Sequence, residues 1–167
     1  MQRGRLLMKR RYSGAFTLIE VMVAVVVLAV GLLGMASLMV TSMQSTQSAY
    51  YRSQASLLVS DLLERMRGNR DSNGDSRAVG TDDYVTTLTS TSTCPAAPSC
   101  TSCSPEEQAG VDMHTWCTDL KAGIPSGGAV VTRSGSNQYR IEINWQETYT
   151  SSGATQNLSY VLERVDL

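Results

Sequence analysis

Apolar and polar positions divide the chain into three stretches. From Phe16 to Val40 nearly every residue is apolar, and no Asp, Glu, Lys or Arg occurs from Val21 to Tyr51. A run of about 25 such residues is long enough to cross a bilayer as a helix. Beyond Thr41 the pattern turns amphipathic. Ala55, Leu58, Leu62 and Met66 recur at three- and four-residue spacing, with Arg52, Gln54, Asp61 and Glu64 between them. This predicts the same helix continuing with one face on a core. Arg65 and Arg67 suit its last turn and Gly68 its C-terminal cap. From Phe16 to Arg67 such a helix would be about 78 Å long.

After Gly68 the periodicity changes. Asn69 to Gly80 is polar and turn-rich, and Leu88 to Cys103 is rich in Ser, Thr, Pro and Cys. Ser104-Pro105-Glu106-Glu107 starts a second helix, with a capping Ser, Pro at the first helical position and acids in the first turn. It should run to about Lys121 and end in Ala122–Gly128. Three strands follow. Ala129–Thr132 is short and is joined to the next by a turn at Ser134–Asn137. Tyr139, Ile141, Ile143 and Trp145 alternate with polar residues in a half-buried strand. Leu158–Val165 is the last, after a polar loop from Thr148 to Asn157. The simplest α+β solution packs an antiparallel sheet on the amphipathic half of the long helix. Trp116 and Trp145 read as core aromatics, and Tyr50 and Tyr51 as helix packing.

Within this frame a few side chains ask for chemistry. Asp71, Asn73 and Asp75 form D-x-N-x-D, the start of a calcium-loop pattern. The Gly falls at position four instead of six and the distal Glu is absent, which argues against a calcium site. The four cysteines, Cys94, Cys100, Cys103 and Cys117, all follow the apolar run. An even set on the translocated side of a membrane reads as disulfides, leaving three possible pairings. The competing reading is a zinc site from Cys100, Cys103, His114 and Cys117, whose spacing suits metal and whose last two members share a helix face. Disulfides are favoured in an oxidising compartment. No nucleophile–base constellation stands out, the only histidine being His114, and the chain reads as no enzyme and as needing no cofactor.

Charge adds direction. Arg3, Arg5, Lys9, Arg10 and Arg11 precede the apolar run; without these five the balance is nine basic against fifteen acidic side chains. A basic leader places the N-terminus in the cytoplasm and the remainder outside the inner membrane. The acidic remainder disfavours nucleic acid as a partner. Gly31 and Gly34 interrupt the apolar helix, marking a close helix contact, a place of partial melting, or a tolerated pair. Glu20 is the exceptional residue. A carboxylate at bilayer depth costs a few kcal/mol even on generous insertion scales and calls for a partner.

A basic leader, the small residues Ser13, Gly14 and Ala15, then Phe16-Thr17-Leu18-Ile19-Glu20 and a membrane-length helix: this order resembles the N-terminus of the type IV pilins. Leu28–Ala36, Tyr51–Ala55, Asp61–Arg70, the Trp116 helix, the Ile124–Gly128 turn and the Trp145 strand are similar to the PilV-type minor pilins of that family. The cysteine loop does not share in the likeness. The resemblance implies a prepilin leader (1–15), a transmembrane or filament-core half-helix (16–40), an amphipathic half-helix (41–68) and a periplasmic head (69–167). It implies cleavage by a prepilin peptidase before Phe16, N-methylation of Phe16, and Glu20 as the acid that registers each subunit against its neighbour. Members usually carry Gly directly before the Phe; here Gly14 is one place further back. Cleavage between Ala15 and Phe16 keeps Glu20 at the fifth mature position, and cleavage after Gly14 would spoil it. The implied partners are the major pilin, other minor pilins, the inner-membrane assembly platform and a tip adhesin. The implied role is to initiate type IV pili and join them near the tip, supporting adhesion and twitching motility at the cell surface. Two alternatives remain from the residues: a type II secretion pseudopilin, which shares the first helix, and a tip pilin whose head has its own adhesive ligand.

Overall fold

The computed structural model describes residues 17–76, 78, 81–149 and 152–167. The chain divides into two compact units, Met1–Ser42 and Met43–Leu167. One helix, α1 (Leu18–Gly68), supplies the described part of the first unit and continues into the second. In the first unit every described side chain is exposed. The helix is unbroken through Gly31 and Gly34, and no atom lies within 4 Å of where a Cβ would stand on either.

The second unit is an α+β head. Its sheet has the order β1 (Thr86–Leu88), β2 (Gly128–Arg133), β3 (Gln138–Tyr149), β4 (Ala154–Asp166), all antiparallel. The predicted apolar stripe is the buried face of α1: Ala55, Leu58, Leu62 and Met66 are all buried, joined by Val59 and Leu63. They share one core with Ile141, Ile143 and Trp145 of β3 and with Met113, Trp116 and Leu120 of α2 (Pro105–Gly123). Burying a side chain of this size contributes about 1.5–3 kcal/mol. Trp116 is fully buried and its indole Nε1 donates to the Leu58 carbonyl at 2.8 Å. A helical carbonyl accepting a second donor ties α2 directly to α1.

Helix α2 starts as its sequence dictates. Ser104 and Glu107 form the full capping box, each side chain accepting the other's backbone N–H; this satisfies two of the orphan donors at a helix start. The helix continues two residues beyond Lys121. Lys121 donates to the carbonyls of Thr89 and Gly127, bridging the turn to the irregular segment after β1.

Two strand expectations need correction. The sheet has four strands, because Thr86–Leu88 pairs with β2 through Thr86↔Val131 and Leu88↔Ala129. Three residues are too few to show an alternation, so the pattern hid it. The loop expected from Thr148 to Asn157 is mostly hairpin: β3 reaches Tyr149 and β4 begins at Ala154. Its cross-strand partners are polar, with Gln146 Nε2 donating to Asn157 at 3.0 Å and Thr148 Oγ1 3.2 Å from Thr155 Oγ1. On the β4 side, Ala154 to Asn157 are all exposed, so there is no apolar alternation to detect. Gly128 opens β2 where space is lacking: a Cβ there would lie 2.6 Å from Asn144 Oδ1 and 2.7 Å from the Leu88 carbonyl oxygen.

Candidate functional site

The residues that carry the apolar segment's chemistry begin at Thr17. Glu20 N donates to the Thr17 carbonyl at 3.0 Å and approaches Thr17 Oγ1 at 3.4 Å, so Thr17 caps α1 and Glu20 takes the third helical position. The Thr-Leu-Ile-Glu order is the sequence form of a capping box, a signal the residue-by-residue reading passed over. Glu20 is exposed beside Val21, Ala24, Val25 and Leu28, which line a shallow apolar groove on the helix surface. The acid therefore sits at the rim of an apolar face with its carboxylate available to another molecule. Leu18, Ile19, Met22 and Val23 are also more than half exposed, and a helix of this composition is long and apolar enough to cross a membrane. Gly14, Ala15 and Phe16 lie outside the described residues.

In the head, the Asp61–Arg70 segment anchors α1 to α2. Asn69 Nδ2 donates to Tyr84 Oη at 2.9 Å and to the Pro105 carbonyl at 2.6 Å; Tyr84 Oη donates to Asp112 Oδ2 at 2.9 Å. Gln108 Nε2 donates to Asp112 Oδ1 at 2.9 Å. Asn69 and Asp112 are buried, and each finds its partners within the network, which is the condition for burying them without loss. Burial raises the Tyr84 hydroxyl well above its ordinary range, so it remains a donor to Asp112. Arg65 pairs with Asp61 at 2.8 Å and lies 3.9 Å from both Asp112 and Asp119. Its hydrogen bond to Asp61 raises the guanidinium further. Arg65 thus spans two helices instead of only meeting the dipole of its own. Tyr84 and Asp112 were not singled out in the sequence, since nothing in their spacing reveals that they meet.

The cysteines form two bridges, Cys94–Cys117 across 23 residues and Cys100–Cys103 across three. The sulfurs of Cys100, Cys103 and Cys117, three members of the zinc alternative, are thus in disulfides, and among the described residues no cluster of three His, Cys, Asp or Glu is placed to hold a metal. His114 Nδ1 lies 2.6 Å from the Pro95 carbonyl, to which it can only donate. The His114-x-x-Cys117 face of α2 is therefore a clamp for the segment before it. Gly110 completes the seat, because a Cβ there would lie 2.8 Å from Pro98 Cγ. Asp71 is equally occupied by backbone: its Oδ1 accepts from Asn73 N at 2.8 Å and Asp75 N at 3.1 Å, a tight turn between Arg70 and Ser76. Trp145 is buried as expected, with Nε1 donating to Glu147 at 2.7 Å. Tyr51 packs against the core, whereas Tyr50 is exposed; adjacent helical positions point about 100° apart and only one can reach the stripe.

Two family models match consecutive stretches. The model of the prokaryotic N-terminal methylation motif matches residues 10–36, and that of type IV pilin Tt1218 matches residues 37–114. No curated protein and no solved structure matches the chain.

Proposed function

We propose, for a chain that belongs to the type IV pilin family, that it is a minor pilin which primes fibre assembly and stays near the tip of the pilus. The observation that carries this reading is Glu20, exposed on an uninterrupted apolar helix within the residues matched by the methylation motif. Residues 1–15 are removed by a prepilin peptidase on the cytoplasmic side and Phe16 is N-methylated. The amine of Phe16 is then a cation, and Glu20 of an adjoining subunit its counter-ion. At about 4 Å and an effective dielectric near 20 that attraction is about 4 kcal/mol. An unpaired carboxylate at bilayer depth costs about 2.5–3.5 kcal/mol. A subunit one step out of register thus forgoes the pair and keeps the cost. The apolar helix holds the precursor in the inner membrane with its head on the periplasmic side, and passes into the fibre core on assembly. The PilV-type likeness of Asp61–Arg70 supports a minor pilin that meets other minor pilins, the major pilin, the assembly platform and a tip adhesin. Adhesion and twitching motility follow from the fibre it helps to start.

The test is made in the host strain. Membrane-extracted protein should start at Phe16 with a methylated amine by intact mass. Glu20→Ala and Glu20→Gln should be cleaved and folded normally but lost from sheared pili. Incorporation of both variants at the level of the unaltered chain refutes the charge-registering role.

A further inference from the structure

The two disulfides are placed differently. Cys94–Cys117 ties the irregular segment before α2 to that helix, and Cys117 is fully buried. Cys100–Cys103 joins two half-buried residues of a single segment and links no element to another. Its neighbours Ser99, Thr101 and Ser102 are exposed. The segment has other ties that do not pass through the short bridge. They are the Cys94–Cys117 bridge, the His114–Pro95 hydrogen bond, Pro98 against Gly110, and the capping box of Ser104 and Glu107. The short bridge can therefore open while the head stays folded.

Thiol–disulfide exchange needs a line of approach to one sulfur and a setting in which the other leaves as a thiolate. Cys103 directly precedes Ser104, the N-cap of the 19-residue α2. It lines a cleft of about 540 Å³ together with Arg65, Asn69, Arg70, Gln108 and Asp112. The positive end of a helix and nearby guanidinium groups favour a thiolate. Asp112 and the first-turn acids Glu106 and Glu107 oppose it, but Asp112 accepts from Tyr84 and Gln108, and Glu107 from Ser104 N. Cys100 stands three residues further from the helix start and outside this cleft. The long bridge offers the contrary case. Attack on its half-buried Cys94 would have to release Cys117 as a thiolate sealed in the apolar core, which burial disfavours.

We propose that Cys100–Cys103 is a thiol–disulfide exchange site for an exposed cysteine thiol of another protein. The incoming thiolate attacks Cys100 Sγ, the Cys100–Cys103 bond breaks, and Cys103 leaves as the thiolate. The product is a mixed disulfide between Cys100 and the partner. Where the partner carries a second thiol, that group gives its proton to solvent and attacks the partner's own sulfur in the mixed disulfide, releasing Cys100 as a thiolate. The partner's dithiol is then oxidised by two electrons and the bridge reduced by two. Exposed residues on both sides of Cys100, Ser99 and Thr101, leave it open to a thiol carried on a protein surface.

The test uses the full chain in detergent at neutral pH, with reduced thioredoxin as the dithiol probe. Thioredoxin stripped of its second cysteine should be trapped as a mixed disulfide, which peptide mass mapping should locate at Cys100. With the intact dithiol, Cys100 and Cys103 should become open to alkylation about a hundredfold or more faster than Cys94 and Cys117, whose exchange waits for the head to open. Tryptophan emission should stay that of the folded head throughout. In the single variants Cys100→Ser and Cys103→Ser, the freed Cys103 should react with iodoacetamide faster than the freed Cys100, a difference that a passive staple would not produce. No adduct, an adduct at Cys103 or Cys94, equal reduction of both bridges, or faster alkylation at Cys100 overturns the proposal. Reaction with glutathione but not with thioredoxin overturns it too, since the reactant would then be a small thiol. Phe16 and Glu20 take no part in this chemistry, so either result leaves the pilin reading where it stands.

Discussion

Removing the Cys94–Cys117 bridge should destabilise the head far more than removing Cys100–Cys103. The bridges close 23 and three residues. In the chain-entropy model the longer closure is worth about 3.4 kcal/mol and the shorter about 1.8 kcal/mol less. Packing points the same way: Cys117 is fully buried, while Cys100 and Cys103 are only half-buried. The long bridge also fixes an irregular segment that α2 otherwise holds through the His114–Pro95 hydrogen bond, the close approach of Pro98 to Gly110 and the Lys121–Thr89 hydrogen bond. The assay is urea unfolding of the detergent-solubilised chain, followed by tryptophan emission. Both tryptophans, Trp116 and Trp145, are buried in the head, so the signal is blind to the apolar helix. With a slope of about 1–3 kcal/mol per molar urea, Cys94→Ala/Cys117→Ala should lower the midpoint by about 1–3 M. Cys100→Ala/Cys103→Ala should lower it by about half as much. Equal losses, or a larger loss from the short bridge, would refute the reasoning that closure length and burial set the contribution.

Gly128→Ala should lower head stability by about 1–3 kcal/mol, the usual cost of overpacking, because the new Cβ meets the Leu88 carbonyl at 2.7 Å; the same urea titration reads it. The Tyr139 hydroxyl donates to the carbonyls of Ala78 and Thr81, and burial pushes its pKa up to about 12. An unfolded tyrosine ionises near pH 10. The folded state therefore binds more protons between those values, and this stability, complete below pH 10, is lost as pH rises through 12. Tyr139→Phe should flatten that decline, measured as urea midpoints at pH 9 and pH 11, with the remaining slope due in part to Tyr84, which burial also raises.

The fold was legible wherever one face of an element meets the core. The Ala55–Met66 stripe and the Tyr139–Trp145 alternation are periodic because burial is periodic, and the start of α2 carries capping side chains that act within four residues. Legibility failed where the partner is distant or both faces are wet. Thr86–Leu88 becomes a strand only because β2 lies beside it, and Gln146 and Asn157 pair across a hairpin with no apolar side to betray it. The Asn69–Tyr84–Asp112 network failed for the first reason: its members are separated by 15 and 28 residues, and no spacing rule links them. The spacing of Cys100, Cys103, His114 and Cys117 left both disulfides and zinc open, because a shared helix face serves a loop clamp as readily as a metal.

Glu20 was legible for a different reason, since local physics only half accounts for it. At the third position of α1, three residues after the capping Thr17, an acid is at home in any helix. That benefit is about 0.3–1 kcal/mol from the helix dipole at an exposed site. It falls well short of the few kcal/mol that a carboxylate costs at bilayer depth, and Gln could fill the capping role without a charge. The capping account therefore explains why the helix tolerates this acid at its start, and leaves unexplained why it is an acid. Among the described residues nothing in the first unit covers the carboxylate or the groove of Val21, Ala24, Val25 and Leu28 beside it. On the proposed function the surplus cost is met between molecules, by a cation presented to an apolar face. A methylated amine at the head of an adjoining helix supplies both requirements in one group.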